Sequence, residues 1–230
     1  MRQVLTGKRL VIFTAVEMEA RAVARGLGLT IGRDGVTSDS VEGLPVEIRA
    51  IGIRGVRIPG ELSPVAGCVI LAGFGGALHP ALKVGDVVLD WPGGPAPAGP
   101  FQLGRIHASH RIVATPEQKG ALFRETGASA VEMEGVAVRA LLGGAGVPLV
   151  GLRAITDTAG ESLDPALLSL VDEVGRPKPR AVAAFLARHP GRIASLHRLG
   201  AAARLAGRRL GEAVASLARS SELQRLLNDQ

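Results

Sequence analysis

The chain has 230 residues, a net charge of +6, one Cys, no Tyr and only six aromatic side chains. Its 47% apolar content supports a substantial core, which excludes disordered and collagen-like classes, and Cys68 has no partner for a disulfide scaffold. No run reaches the roughly 18 apolar residues of a membrane-spanning helix, and the short apolar run Leu10 to Val16 closes on Glu17 and Glu19, so a cytoplasmic protein is expected.

Arg9 to Ala15 reads as a buried strand, continuously apolar and rich in β-formers. Glu17 to Leu27 follows with helical spacing and stops at Gly26 and Gly28. Val46 to Ile53, after a Gly43–Pro45 turn, predicts a second strand. Cys68 to Ala72 predicts a third, running into the glycine-rich Gly73-Phe74-Gly75-Gly76. Val84 to Trp91 is a fourth, and the composition of PGGPAPAGP over 92–100 allows only a loop. Helices are predicted for Pro116 to Thr126, with proline near its start, and for Met133 to Leu142, halted by Gly143-Gly144. Val147 to Ile155 is a further buried strand. The alternation predicts an α/β layer structure over 1–175 with a largely covered sheet.

The remainder, 176–230, differs in charge. It holds 11 Lys/Arg against 3 Asp/Glu, whereas 1–175 holds 16 against 18, so the basic character belongs to this tail. A short helix is expected up to His189, then a break at Pro190-Gly191. From Arg192 onward Ile193, Leu196, Leu199, Ala203, Ala206, Leu210, Val214 and Leu217 fall on one side of a helix. Arg198, Arg204, Arg208, Arg209 and Arg219 fall on the other. Gly200, Gly207 and Gly211 weaken that helix by roughly 1 kcal/mol each, so it needs docking to persist.

Several side-chain groups carry chemistry, each with a plainer structural reading. The 73–76 glycines follow a strand and let backbone N–H groups approach an anion or a ribose; alone, a tight turn explains them better. They lack dinucleotide-binding and P-loop spacing. His107 and His110 are three apart, but no other ligand set supports a metal, and none is expected. Glu132-Met133-Glu134 stands between an apolar run and a helix, where a carboxylate either grips a sugar diol or complements the helix dipole. Asp157 follows a buried strand, so it is either a partly desolvated proton donor or the N-cap of a next helix. Glu19 lies just past the first strand beside Glu17; the pair acts as base and bystander, or forms the solvated start of a helix.

Four segments in order, TAVEMEA (14–20), LAGFGGALHPALKVGDVVL (71–89), SAVEMEG (129–135) and VPLVGLRAITDTA (147–159), resemble the nucleoside phosphorylase/nucleosidase superfamily. The likeness is to the branch of methylthioadenosine/S-adenosylhomocysteine nucleosidases and covers roughly residues 9 to 160. It implies a three-layer α/β/α fold and cleavage of a purine–ribose bond through an oxocarbenium-like state. Asp157 would then protonate the departing purine at N7, and Glu19 would activate water. Glu134 would hold the ribose 2′ and 3′ hydroxyls, with Met133 beneath the sugar. ASHRIVATPEQK (108–119) matches the segment that holds the base, so Val113 would meet adenine through its backbone with Ile112 beside it. Gly73, Phe74 and Gly75 would form the loop near the nucleophile. Phe74 replaces a small hydroxyl residue of the family there, and Ile112 stands where an aromatic usually stacks.

The stretch 172–214 is similar to the hopanoid-associated phosphorylase group, which implies adenine release from adenosylhopane, a lipid nucleoside substituted at the 5′ position. The rival substrate is methylthioadenosine or S-adenosylhomocysteine, and a nucleoside- or nucleic-acid-binding protein without catalysis is a third reading. No cofactor is implied, with phosphate a co-substrate only if cleavage is phosphorolytic. The partner is a small-molecule or lipid-linked nucleoside. Nucleic acid is not expected, since the tail has neither Trp nor Tyr. The family's habit implies a homo-oligomer. The basic amphipathic tail either touches the inner face of an anionic membrane peripherally or docks its apolar side on the body.

Overall fold

The computed structural model describes residues 8–32 and 36–228. Its centre is a parallel set of strands: β1 (Arg9–Thr14) lies between β3 (Leu44–Ala50) and β4 (Ala66–Ala77), and β4 pairs on its other side with β9 (Leu149–Asp157). β2 (Val36–Val41) closes one edge, antiparallel to β3. On the other side β5 (Val87–Asp90) runs antiparallel to β9 and carries β6 (Gln102–Leu103). The far end of β4 pairs with β8 (Ala130–Glu132), which also carries β7 (Ile106–Ala108).

Both faces of the central strands are covered, which is why they read as continuous apolar runs. Alternation sends Leu10 and Ile12 to one face and Val11 and Phe13 to the other. The first face packs α1 (Glu17–Gly26), α5 (Ile193–Ala218) and α6 (Ser221–Asn228). The second packs α3 (Gly135–Leu142) through Val138 and Leu142. α2 (Pro116–Thr126) sits beyond β8, where Leu122 and Phe123 meet Leu78 and Val131. It begins as its sequence dictates: Thr115 caps Gln118, Pro116 occupies the first turn, and Gly127 ends it in the left-handed conformation. This is the α/β architecture of helices on both sides of a mixed sheet.

The structure corrects some of these expectations and adds a strand that the apolar pattern does not show. The 73–76 glycines form no turn; they are the last third of the twelve-residue β4. The predicted strand 46–53 stops at Ala50, because Gly52 at φ 78° redirects the chain into a short 3-10 turn, Ile53–Gly55. β2 is polar (VTSDSV) and gives no apolar signal; it pairs because Glu42 and Gly43, at φ 51° and 86°, make the two-residue turn that suits a hairpin. His107 lies in β7 and His110 in the bend beyond it, so they share no helical face.

The C-terminal region is built into the body. α4 (Pro179–Arg188) and the 3-10 turn Pro190–Arg192 precede α5, whose Ala206, Leu210, Val214 and Leu217 are wholly buried against the sheet and α1. Ile193, at the helix start, is 58% exposed. Gly211 is the point of closest approach rather than a weakness, since a Cβ on it would lie 2.7 Å from the carbonyl oxygen of Ala22, whereas one on Gly207 would meet only ordinary contacts. Among the described residues no helix is long and apolar enough to cross a membrane.

Candidate active site

The parallel strands β1, β4 and β9 end on the same side of the sheet, where α/β folds gather ligands. Glu19 stands one turn past β1, Phe74 to Gly76 close β4, Glu132 to Glu134 follow β8, and Asp157 ends β9. These ends enclose a cavity of about 290 Å³ lined by Glu19, Phe74, Gly75, Ile112, Val113, Met133, Glu134 and Asp157, with Val16, Ile53, Leu163 and Leu199 adding apolar wall. Of the residues to which the resemblance gives a role, Gly73 is the one set back from the cavity wall, and it lies directly behind Glu19, whereas Glu17, His107 and His110 do not line the cavity.

Glu19 is 3% exposed, although it occupies the first turn of a helix. Its Oε2 accepts the N–H of Val16 at 2.9 Å, and its Oε1 accepts the N–H of Phe74 at 2.6 Å. Burial raises its pKa to about 7, against the lowering influence of the Arg153 guanidinium. Its neighbour Glu17 instead pairs with Arg21 and Arg176 at the surface, so the two carboxylates have separated roles. Phe74 donates its N–H to Glu19 rather than to an incoming anion, and its ring reaches toward Gly207 of α5.

The two carboxylates of EME divide in the same way. Glu132 accepts the N–H groups of Glu134 and Gly135 and an ion pair from Arg153, which makes it the carboxylate at the start of α3. Glu134 faces the cavity. Its Oε1 accepts the N–H of Arg54 at 3.0 Å, and burial raises its pKa despite Arg153 at 3.6 Å. Arg54 offers that N–H from a left-handed backbone, φ 60°.

Two cations were not singled out by the sequence. Arg153 is 1% exposed and stands among Glu19, Glu132 and Glu134. The charge of those three groups outweighs burial and raises its pKa. Gly73 and Gly75 make room for it, since a Cβ at either would press on Arg153. A cation inside the apolar run LVGLRAIT was the signal that could have found it. Lys119 is fully buried; its Nζ donates to Asp157 Oδ2 at 2.6 Å and to the carbonyls of Thr158 and Glu161 at 2.7 and 2.8 Å. Asp157 Oδ1 accepts the hydroxyl of Thr156 at 3.0 Å. Burial raises the Asp157 pKa, and Lys119 opposes that rise. Asp157 caps no helix; it belongs to the strand itself.

The site therefore combines a carboxylate poised near neutrality, an acid of raised pKa and a third carboxylate on one cavity wall. Such a set can give a proton, take a proton and hold a diol. Among the described residues no cluster of side chains has the makings of a metal site.

A family model described as the phosphorylase superfamily matches residues 98–188, which span β6 to α4. No curated protein matches the chain. Among solved structures, 5′-methylthioadenosine nucleosidase of Arabidopsis thaliana in apo form superposes with a TM-score of 0.59 at 15% identity, covering 97% of each chain. The native futalosine hydrolase of Helicobacter pylori strain 26695 gives 0.57 at 19% identity, covering 93% of this chain and 98% of its own. The 5′-methylthioadenosine/S-adenosylhomocysteine nucleosidase of Helicobacter pylori with butyl-thio-DADMe-Immucillin-A gives 0.55 at 20%, covering 80% and 99%. At these identities the likeness establishes a shared fold.

Proposed function

We propose that the protein is a purine nucleosidase that hydrolyses the N-glycosidic bond of a 5′-substituted adenosine and releases adenine. The observation that carries this reading is the pairing, on one cavity, of Glu19 with a pKa raised to about 7 and Asp157 with a raised pKa of its own. Asp157 passes its proton to N7 as the electron pair of the C1′–N9 bond withdraws into the purine. Water adds to C1′ of the oxocarbenium-like sugar and yields its proton to Glu19. Glu134 accepts the ribose 2′ and 3′ hydroxyls, Met133 lies beneath the sugar, and Ile112 and Val113 border the base.

Water is favoured over phosphate as nucleophile. Besides Arg111, the charged side chains lining the cavity are Glu19, Glu132, Glu134, Asp157 and Asp164, and a phosphate dianion would meet Glu19. The test is adenine release by purified protein with and without phosphate. Equal release supports hydrolysis; release only with phosphate makes the enzyme a phosphorylase and removes the base role from Glu19. No release from any 5′-substituted adenosine, with the nucleoside still bound, returns the chain to a non-catalytic binder.

A second cavity of about 550 Å³ leaves room for a bulky substituent at the 5′ position, with a lipid nucleoside of the adenosylhopane kind leading. It shares Thr156, Asp157, Leu163, Asp164 and Leu199 with the first; Val84, Phe185, Leu196 and Leu205 form apolar wall, and Glu161, Arg192 and Arg198 line it as well. Methylthioadenosine and S-adenosylhomocysteine are the alternative, favoured by the names of the solved structures above. A series of adenosines with lengthening 5′-alkyl groups separates the two: kcat/KM rises with length for the lipid substrate and falls for the small ones.

A further inference from the structure

We propose that Lys119 is the positioning residue for the leaving-group acid: its ammonium fixes Asp157 Oδ2 and stabilises the carboxylate that remains once the proton has gone to the purine. The inference deepens the nucleosidase reading and rests on it for the identity of the acid. Lys119 reaches this place from α2, an element that otherwise contributes packing to the far side of β8. Its three acceptors, Asp157 Oδ2, Thr158 O and Glu161 O, stand at 2.6, 2.7 and 2.8 Å. Three acceptors require three N–H donors, which a neutral amine does not have, so the group is held as the ammonium.

That charge acts on the reaction in one direction. Protonated Asp157 is neutral and gains little from Lys119; the carboxylate left after proton transfer gains an ion pair in a nearly dry site. The ammonium therefore strengthens the acid at the moment its proton departs. It also sets geometry, since Thr156 fixes Oδ1 while Lys119 fixes Oδ2, and the carboxyl cannot rotate. A Cβ on Gly76 would lie 3.0 Å from the same Oδ2, so the absence of a side chain there leaves the carboxyl its place.

The other groups facing Asp157 do not duplicate Lys119. From the loop after β9, Glu161 bears on it with like charge, and Asp164 shares its cavity. From β4 come the glycines 75 and 76, and from β8 Val131. From α5, Arg198 and Arg192 line the neighbouring cavity, and Arg192 pairs with Asp164 at 3.7 Å.

The test uses the full chain with Lys119→Met and Lys119→Arg. The carboxyl of Asp157 is titrated directly by carbon NMR on aspartate-labelled protein, with Asp157→Asn identifying the resonance. In Lys119→Met the midpoint moves up by about one pH unit or more, and in Lys119→Arg it stays near the wild-type value. In parallel, kcat for adenine release falls roughly tenfold or more in Lys119→Met with KM little changed. The alkaline limb of its pH profile moves up with the NMR midpoint. An Asp157 midpoint that does not move in Lys119→Met overturns the inference. Loss of activity in Lys119→Met with the alkaline limb unmoved makes Lys119 a structural residue only. A midpoint that moves while Asp157→Asn keeps full activity overturns the acid role instead, and the nucleosidase reading with it. Should Lys119→Met not fold, Lys119→Gln keeps an N–H donor group without the charge and carries the same titration.

Discussion

Glu19 Oε1 accepts the backbone N–H of Phe74 at 2.6 Å, which ties a residue in the first turn of α1 to the last third of β4. Two strand ends thereby share one carboxylate, and its burial raises the pKa from 4.5 to about 7. A raised pKa means that the protonated form is favoured by folding. Its contribution to stability is full below about pH 4.5 and is lost as pH rises through about 7. Glu19→Gln removes the titration, although its amide cannot accept both backbone N–H groups, so between pH 5 and 8 the wild type is expected to lose roughly 1–3 kcal/mol more stability than the variant. Adenine release by the same variant falls by about 10²- to 10⁴-fold, and the acid limb near pH 7 in kcat/KM disappears. Thermal unfolding at pH 5 and 8 and a pH–rate profile check both halves. An equal change in stability from pH 5 to pH 8 in the two proteins refutes the first.

Asp157→Asn changes little volume but removes the proposed proton donor and leaves Lys119 without an opposite charge when Asp157 is ionised. Activity is expected to fall by about 10²-fold or more, and stability by about 3 kcal/mol at pH values where Asp157 is ionised, because there a buried cation loses its partner. Combining Asp157→Asn with Lys119→Met is expected to restore much of the stability and none of the activity. Chemical denaturation of the two singles and the double variant measures the coupling. Additive losses would mean that the ion pair contributes nothing specific.

The architecture was legible where burial on both faces leaves continuous apolar runs, as in RLVIFT of β1 and LVGLRAITD of β9. It was illegible where polar residues pair at an edge: VTSDSV of β2 shows its strand only through the turn at Glu42-Gly43. The carboxylates of the site were legible because each follows a strand end, yet which of two neighbours faces inward was not. Glu19 and Glu17 are both helix-start acids, and Glu19 is the buried one because it turns onto the end of β4, at the Phe74 N–H and beside Gly73, while Glu17 meets Arg21 and Arg176. Lys119 was invisible for a related reason. It sits between Glu117 and Arg124 on a helix of mixed charge, and its partner is 38 residues away. The amphipathic face of α5 was read as a choice between membrane and body, and from Ala206 onward the body takes it.

Gly73 is the packing point behind the site. A Cβ there would overlap Arg153 Nη1 and lie 2.9 Å from Glu19 Oε1, so no side chain fits without moving one of them. Gly73→Ala is expected to displace Glu19 or Arg153, to cost about 1–3 kcal/mol by overpacking, and to reduce kcat far more than it raises KM. Steady-state kinetics beside a denaturation curve separates these effects. Wild-type kcat in a folded Gly73→Ala protein would show that Glu19 needs no fixed position.

Gly26 of α1 and Gly211 of α5 set how closely those helices approach. A Cβ on Gly26 would overlap the carbonyl oxygen of Gly211, and one on Gly211 would lie 2.7 Å from that of Ala22. The obstacles are backbone atoms, which cannot rotate away. Alanine at either position gains about 1 kcal/mol of helix propensity and is expected to lose more by forcing the helices apart. Because α5 closes the face of the sheet behind Phe74, separation of the helices also loosens the support of the site. Gly200 is the control: a Cβ there would meet only the guanidinium end of Arg204, at 3.4 Å, which can swing aside. Gly200→Ala is therefore expected to raise the unfolding temperature by a few degrees while Gly211→Ala lowers it. Differential scanning calorimetry of the three variants decides. A stabilised Gly211→Ala would mean that α1 and α5 approach less closely than these contacts require.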